Sequence, residues 1–361
     1  MINNAYAIIM AGGKGERFWP LSTSKSPKQV LTLFGDKSLL AEAVDRISPV
    51  IPPKRVFVIT SADLVEVSRA SAPQLPAQNV IGEPMGRDTA AAVACGLALV
   101  KARAPDGAFA VLTADHIIRD DDLFRNTVED SLRAALDSDI LMTIGMQPTF
   151  PSTGFGYIEA GDAYPREGDT AFNRALRFVE KPDEATAQTY IASGNYYWNS
   201  GMFIWSVRAL EEAFRAHRPP LYELVQRLSA VEAGSAFELA LGTEYPKLAK
   251  SSIDSALREK ADNIVMARGV FEWHDVGAWP AVADHFPGDE AGNVIRGQCE
   301  QVDSSSNIVV SEGRLTALIG VKDLVVIQAE GATLICPRDR AQDVKQIVTL
   351  LREKGQHDRL L

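Results

Sequence analysis

Ala5-Tyr6-Ala7-Ile8-Ile9-Met10 runs into Ala11-Gly12-Gly13-Lys14-Gly15-Glu16-Arg17-Phe18-Trp19-Pro20, an apolar stretch that ends on a glycine-rich turn carrying Lys14 and Arg17. Six residues with almost no polar alternation predict a strand buried on both faces, as in a parallel sheet. Glycines without a Cβ let backbone N–H groups curl around phosphate oxygens and permit positive-φ turns. The loop is not a Walker A motif, because no Gly-Lys-Ser/Thr triplet closes it. Nor is it the dinucleotide fingerprint, because Phe18 stands where the third glycine belongs. A glycine-rich turn without a ligand is the plain alternative. Arg17, Lys25 and Lys28, the last in Ser26-Pro27-Lys28-Gln29, argue against it by converging on the same strand end.

Beyond this stretch, short apolar runs alternate with amphipathic ones. Arg55–Thr60, Asn79–Ile81, Ala108–Thr113 and Ile140–Gly145 read as extended, and Ser38–Ile47, Ala62–Ala70, Asp88–Ala102 and Asp121–Leu136 as helical. The alternation predicts an α/β fold, a Rossmann-like, mostly parallel sheet with helices on both faces. Ligands in such sheets bind at the carboxyl ends of the strands. From Pro151 to Pro287 the order is less regular, and this middle part is expected to feed back into the same sheet. After the turn at 286–293, short strands are predicted at Asn307–Val310, Leu315–Gly320, Leu324–Gln328 and Ala332–Cys336, closed by a helix at Arg338–Lys354. No internal repeat is long enough to define a solenoid. The expected division is a catalytic domain at 1–287 and a C-terminal β-rich domain at 288–361.

The 361 residues are 46% apolar and 23% charged, an ordinary globular composition. Lys plus Arg number 37 against 47 Asp plus Glu, a formal charge of −10 that speaks against nucleic-acid binding. Cys95, Cys299 and Cys336 lie too far apart for a zinc ligand pair or a disulfide framework. The N-terminus lacks a basic n-region and reads as no signal peptide. The longest apolar stretch, near Thr89–Val100, is shorter than the roughly 20 residues that span a bilayer. A soluble, cytoplasmic protein without a membrane partner is expected.

Asp115 lies just beyond the predicted strand Ala108–Thr113, so its carboxylate is expected at the ligand-binding edge, and Asp275 sits in a Gly-containing turn between two tryptophans. Mg²⁺ takes one or two protein carboxylates plus phosphate oxygens, which two such aspartates would supply. A lone strand-end aspartate is otherwise a cap or turn residue.

The run AGGKGERFWPLSTSKSPKQ at residues 11–29 resembles the signature of nucleotidyltransferases acting on sugar 1-phosphates, specifically the bacterial mannose-1-phosphate guanylyltransferases. The similarity continues through Gly82-Glu83-Pro84-Met85-Gly86-Arg87-Asp88-Thr89-Ala90, Thr113-Ala114-Asp115-His116 and Phe155-Gly156-Tyr157-Ile158-Glu159. It reappears at Phe178-Val179-Glu180-Lys181-Pro182, Trp198-Asn199-Ser200-Gly201-Met202-Phe203, Ser252-Ile253-Asp254 and Trp273-His274-Asp275-Val276-Gly277-Ala278-Trp279. These blocks occur in family order over about the first 280 residues.

The resemblance implies attack by mannose 1-phosphate on the α-phosphorus of GTP, with Mg²⁺ held by Asp115 and Asp275. It implies that Arg17 stabilises the leaving pyrophosphate and that Lys28 bridges the phosphates. Ala11, Gly12, Gly13, Gly15, Glu83, Arg87, Asp88 and Thr89 would bind the nucleotide. Glu83 or Asp88 would read guanine, although Asp88 serves equally as a helix cap. Gly156, Glu180, Lys181 and Asn199 would bind the sugar phosphate, and Ser252-Ile253-Asp254 lies near the sugar or caps a helix. His116 is read as structural. Thr113 replaces a common proline and Ser255 a common tyrosine, with no loss of charge. The similarity also implies a small left-handed β-helix-like domain at the C-terminus, and a homodimer is the expected assembly. No fused isomerase activity is expected. Rival readings are the same chemistry on a heptose or fucose 1-phosphate, another base, or a non-catalytic nucleotide-sugar-binding homologue.

Overall fold

Strand β1 (Ala5–Met10) is buried along almost its whole length, as its unbroken apolar composition requires. The computed structural model describes residues 2–232, 234–258, 263–355, 357 and 360–361. Contacts divide the chain into two units. One comprises Met1–Gly12, Ala43–Ala114 and Ile118–Trp273; the other comprises Gly13–Glu42, Asp115–Ile117 and His274–Leu361.

The first unit is built on a nine-stranded sheet. After β1 come β2 (Val56–Ser61), β3 (Val80–Glu83), β4 (Ala108–Thr113), β5 (His116–Ile118), β6 (Leu141–Met146), β7 (Tyr157–Ala163), β8 (Phe172–Val179), β9 (Tyr196–Ser206), β10 (Ile264–Gly269) and β11 (Trp273–Asp275). The order is β3-β2-β1-β4-β9-β6-β10-β8-β7, while β5 and β11 pair separately. The parallel half, β3-β2-β1-β4, holds register through pairs such as Ile8 with Phe57 and with Val111. From β9 onward the sheet is mixed: β9 runs antiparallel to β4, β6 and β7, β10 runs parallel to β6, and β8 returns antiparallel. The middle of the chain thus does feed back into the same sheet.

Helices α1 (Leu39–Ile47), α2 (Val65–Ser71), α3 (Thr89–Lys101) and α4 (Asp121–Leu136) fall within a few residues of their expected bounds. The α3 run is apolar on every face, and Ala90 to Val100 are all buried, which is what such a helix requires. It packs on β1 and β2 and is covered by α6 (Val207–His217), α7 (Pro219–Ser229) and α9 (Ile253–Arg258); α5 (Glu184–Ser193) and α8 (Ser235–Glu244) complete the set. Gly96 faces Ile8 so closely that a Cβ would stand 3.0 Å from its side chain.

The second unit contains α10 (Trp279–Ala283), α11 (Val344–Glu353) and six strands: β12 (Val294–Arg296), β13 (Cys299–Val302), β14 (Ile308–Ser311), β15 (Thr316–Ile319), β16 (Leu324–Ala329) and β17 (Ala332–Pro337). Pairing Cys299 with Thr316, Ser305 with Lys322 and Ile308 with Val325 advances the chain by the same step each time, so the strands stack as parallel rungs of a coil. A β16–β17 hairpin closes the stack. Buried Asn293 and Asn307 lock one corner: Asn307 N and Nδ2 both donate to Asn293 Oδ1, and Asn307 Oδ1 accepts from Leu324 N. The sequence pattern missed β12 and β13 because both are short and Cys299-Glu300-Gln301-Val302 buries little. The expected terminal helix divides into a 3₁₀ stretch at Arg338–Asp343 and then α11. Phe18, Trp19, Leu33, Trp279, Ile308, Val325, Ile327, Val344 and Val348 share one core, so the segment after Gly13 folds onto the β-rich coil. No helix among the described residues is long and apolar enough to cross a membrane.

Candidate active site

Gly15 opens the chemistry of the second unit. Its φ is +63°, and a Cβ there would stand 2.4 Å from Lys28 Cβ, so only glycine lets the loop close over that lysine. Ser22 Oγ fixes the turn by donating to the carbonyls of Lys14 and Gly15, at 2.9 and 2.8 Å. Lys28, in a 3₁₀ turn after Pro27, is only 4% exposed. Its Nζ lies 3.0 Å from Asp115 Oδ2 and 5.3 Å above the Phe18 ring. A buried ammonium needs such a partner, because unpaired burial of charge is prohibitive.

Asp115 and Asp275 keep 40% and 38% of their side chains exposed, and His116 Nε2 stands 4.0 and 3.9 Å from one oxygen of each. Crowding by the protein alone would raise the Asp115 pKa. The charges of Lys28 and His116, with the Lys28 hydrogen bond, outweigh it and hold the carboxyl below its usual range. Asp115, Asp275, Lys28, Arg17, Lys14 and Lys345 line a cleft of about 430 Å³. Arg17, Lys14 and Lys345 are exposed and form no ion pair among the described residues. Two hard carboxylates beside cations suit Mg²⁺, which takes few protein ligands and fills its octahedron with water and phosphate.

A second set of residues lies in the first unit. Glu83 ends β3, is 9% exposed, and accepts a hydrogen bond from the Tyr245 hydroxyl. Burial pushes its carboxyl up to about 7; the Tyr245 bond opposes this and Asp88 adds to it. Gly12 sits against Glu83, whose Oε2 would be 3.3 Å from an added Cβ. Arg87 donates to the Pro246 carbonyl through Nη2, while its buried Nε has no partner among the described residues. A buried donor without a protein partner is rare. Asp88 Oδ1 accepts from Thr89 N at 2.7 Å, so the capping role is realised. Thr89 Oγ1 accepts from Ile253 N at 2.8 Å.

A third set surrounds Asn199, also in the first unit. Asn199 Nδ2 donates to Asp254 Oδ1 at 2.6 Å, and its backbone N donates to the Gly156 carbonyl at 2.8 Å. Gly156 lies close to Glu180, whose Oε2 would be 3.3 Å from an added Cβ. Lys181, at φ +37°, pairs with Glu180 at 2.9 Å.

The expected residues thus assemble in three places. Gly15, Arg17, Lys28, Asp115 and Asp275 share one cleft; Gly12, Glu83, Arg87, Asp88 and Thr89 cluster in the first unit; and Gly156, Glu180, Lys181 and Asn199 form the third group. Gly13 is exposed and does not line the cleft, and Ala11 is buried with its N–H bonded to the Ile59 carbonyl. Tyr245, Asp254 and Lys345 were not predicted as site residues. Asp254 lay inside a recognised block, but Tyr245 and Lys345 carry no local signal. His116, read as structural, stands between the two aspartates, beside the Asp115 that it adjoins in sequence.

A glycine-rich loop, a buried lysine paired with a half-exposed aspartate, and exposed cations beside two carboxylates suit a phosphate-rich ligand. A nucleotidyl transferase family profile matches residues 6–291, and a profile described as a MannoseP isomerase/GMP-like beta-helix domain matches 297–351. The mannose-1-phosphate guanylyltransferase of Escherichia coli (strain K12) is 34% identical over 363 residues, spanning 98% of this chain and 74% of that protein. That of Klebsiella pneumoniae is 36% identical over 354 residues, with 96% and 74% covered. A solved structure described as a mannose-1-phosphate geranyltransferase from Thermus thermophilus is 37% identical with a TM-score of 0.85, covering 97% of this chain and 99% of that one. The chain therefore belongs to the nucleotidyl transferase family, among the mannose-1-phosphate guanylyltransferases.

Gly15→Ala forces a Cβ onto Lys28 at an unfavourable φ, and is expected to destabilise the protein by about 2–4 kcal/mol. Gly13→Ala, where a Cβ meets nothing within 4 Å, should stay within about 0.5 kcal/mol of the parent. Denaturant unfolding of the two variants compares them directly; equal stabilities would refute the close-approach role of Gly15.

Proposed function

We propose that the protein transfers GMP from GTP to α-D-mannose 1-phosphate, yielding GDP-mannose and pyrophosphate. The observation that carries this is the pairing of buried Lys28 with Asp115, which faces a cleft with unpaired cations in a chain similar over nearly its whole length to mannose-1-phosphate guanylyltransferases. An oxygen of the sugar phosphate bonds to the α-phosphorus, and the α–β bridging oxygen takes the breaking bond's electron pair and leaves with pyrophosphate. The attacking phosphate is already largely ionised at pH 7, so no general base is required. Catalysis reduces to aligning two polyanions and neutralising their charge.

In this reading Gly15 presents its backbone N–H to the phosphates, and Arg17 stabilises charge on the departing pyrophosphate. Lys28 bridges the phosphates, and Asp115 and Asp275 hold Mg²⁺. When bound, the metal would supply further neutralisation of phosphate charge. Glu83 accepts from guanine N1–H and N2–H₂, and Arg87 donates through its unpartnered Nε. Asn199 and Glu180 bond sugar hydroxyls, Lys181 holds the sugar phosphate, and Gly156 keeps the approach open. Catalysis is assigned to 1–287, with 288–361 as the β-rich domain. A cytoplasmic location fits an enzyme that consumes GTP. Homodimer formation through the β-rich region has support in Val302 and Ile319, paired neighbours on β13 and β15 that are 57% and 75% exposed.

Purified protein with Mg²⁺ and mannose 1-phosphate should release pyrophosphate with GTP but not with ATP, CTP or UTP, and excess chelator should stop it. Asp115→Asn should lower kcat by about 100-fold or more with unchanged circular dichroism. Release without mannose 1-phosphate, or undiminished turnover in the variant, would refute the reading.

The raised Glu83 pKa gives a signed pH dependence. Below about 7 the neutral carboxyl must donate one proton itself, and above it both oxygens accept, as guanine requires. GDP-mannose, whose phosphates do not titrate in this range, should bind about tenfold tighter at pH 8 than at pH 6. Calorimetry should find that slope gone in Glu83→Gln. A flat profile in the parent protein would contradict the base assignment.

A further inference from the structure

The cleft of the second unit is lined by four cations and three carboxylates, and the local pairings leave them unevenly spent. Asp115 is taken by Lys28 at 3.0 Å, and Glu16 by Arg352 of α11 at 2.8 Å. What remains is Arg17, Lys14 and Lys345 against Asp275 alone, a local excess of positive charge in a chain of formal charge −10. Arg17 and Lys14 belong to the glycine-rich loop, whereas Lys345 is the second residue of α11, far along the chain.

The placement of α11 is fixed rather than incidental. Val344 and Val348, 2% and 4% exposed, bury one face of the helix in the core that holds Phe18 and Trp19. The Arg352–Glu16 pair and a 2.9 Å hydrogen bond from Trp19 Nε1 to the Leu360 carbonyl tie the same terminal segment to the loop. Lys345 is thereby held at the cleft wall. The neighbouring acid, Asp343, is engaged by Arg340 at 2.8 Å, so it does not neutralise the lysine. An exposed ammonium on a well-anchored helix, beside Arg17 and a phosphate loop and without an ion-pair partner among the described residues, is suited to a polyanion.

We propose that Lys345 is a further binding residue of the cleft, contacting the pyrophosphate group that becomes the leaving product. The proposal rests on the reading of the cleft as the pyrophosphate site. It makes the C-terminal helix a contributor of substrate affinity, not merely a buttress for the fold. Because the ammonium acts as a mobile point charge, it should tighten pyrophosphate in the ground state more than it accelerates the transfer.

The experiment is calorimetric binding of inorganic pyrophosphate with Mg²⁺ to the full chain, together with steady-state kinetics in both directions. Lys345→Gln should weaken pyrophosphate binding, and raise its KM in the reverse reaction with GDP-mannose, by about tenfold, the loss of one charge-assisted hydrogen bond. The KM for GTP should rise as well, while the KM for mannose 1-phosphate and the thermal midpoint should stay unchanged. The salt dependence of pyrophosphate binding should become shallower. Lys345→Arg should retain most of the affinity, and Lys354→Gln, the same charge removed beyond the far end of α11, should bind like the parent. Equal pyrophosphate affinity in the parent and Lys345→Gln would overturn this inference alone. Failure of the parent to bind pyrophosphate would overturn the reading of the cleft with it.

Discussion

The ion pair between Lys28 and Asp115 is the contact on which the site depends. It reconciles two demands that burial sets against each other: an ammonium almost removed from water, and a carboxylate kept ionised at the edge of a cleft. Breaking a fully buried pair by deleting one partner costs about 3–5 kcal/mol, and here the figure is smaller because Asp115 still meets solvent. The pair exists because Gly15 leaves room for the lysine stem and Ser22 clamps the loop above it. Phe18 and Trp19 then tie that loop to the core of the β-rich coil. A local glycine thus sets the position of a charge, and the charge sets what the cleft can hold.

The same arrangement explains why the free protein keeps its acidic groups partnered. An unengaged Asp115 beside Asp275 would be two like charges facing one cleft, and Lys28 with His116 offsets that repulsion. In the proposed reaction a phosphate would take over Lys28 and a cation would take over Asp115 in one exchange, with little net change in buried charge. Nucleotidyl transfer between two anionic substrates needs that kind of charge substitution more than it needs a base or a nucleophile.

Much of the parallel half of the fold was legible because its signals are local. Ala5–Met10 and Ala108–Thr113 are continuous apolar runs, and both occur as strands with those bounds. The antiparallel insertion of β9 between β4 and β6 was not legible, since strand order depends on contacts between residues far apart in sequence. The coil rungs β12 and β13 were hidden by their polar, partly exposed composition, although the stacked Asn293 and Asn307 mark the turn that repeats. Glu83 was recognisable within its block, but nothing local announces that Tyr245 donates to it or that burial lifts its pKa. Asp88 was balanced between cap and base contact, and in the structure it caps α3. Lys345 looks like any helical surface lysine until the core beneath α11 is seen.

The most direct test of the exchange at Asp115 is Mn²⁺ binding followed by electron paramagnetic resonance, with and without GTP. Weak Mn²⁺ binding is expected in the free protein, where Lys28 occupies Asp115, and much tighter binding once GTP is present. That gain should vanish in Asp115→Asn and shrink in Asp275→Asn. Tight GTP-dependent Mn²⁺ binding that survives intact in Asp115→Asn would contradict it.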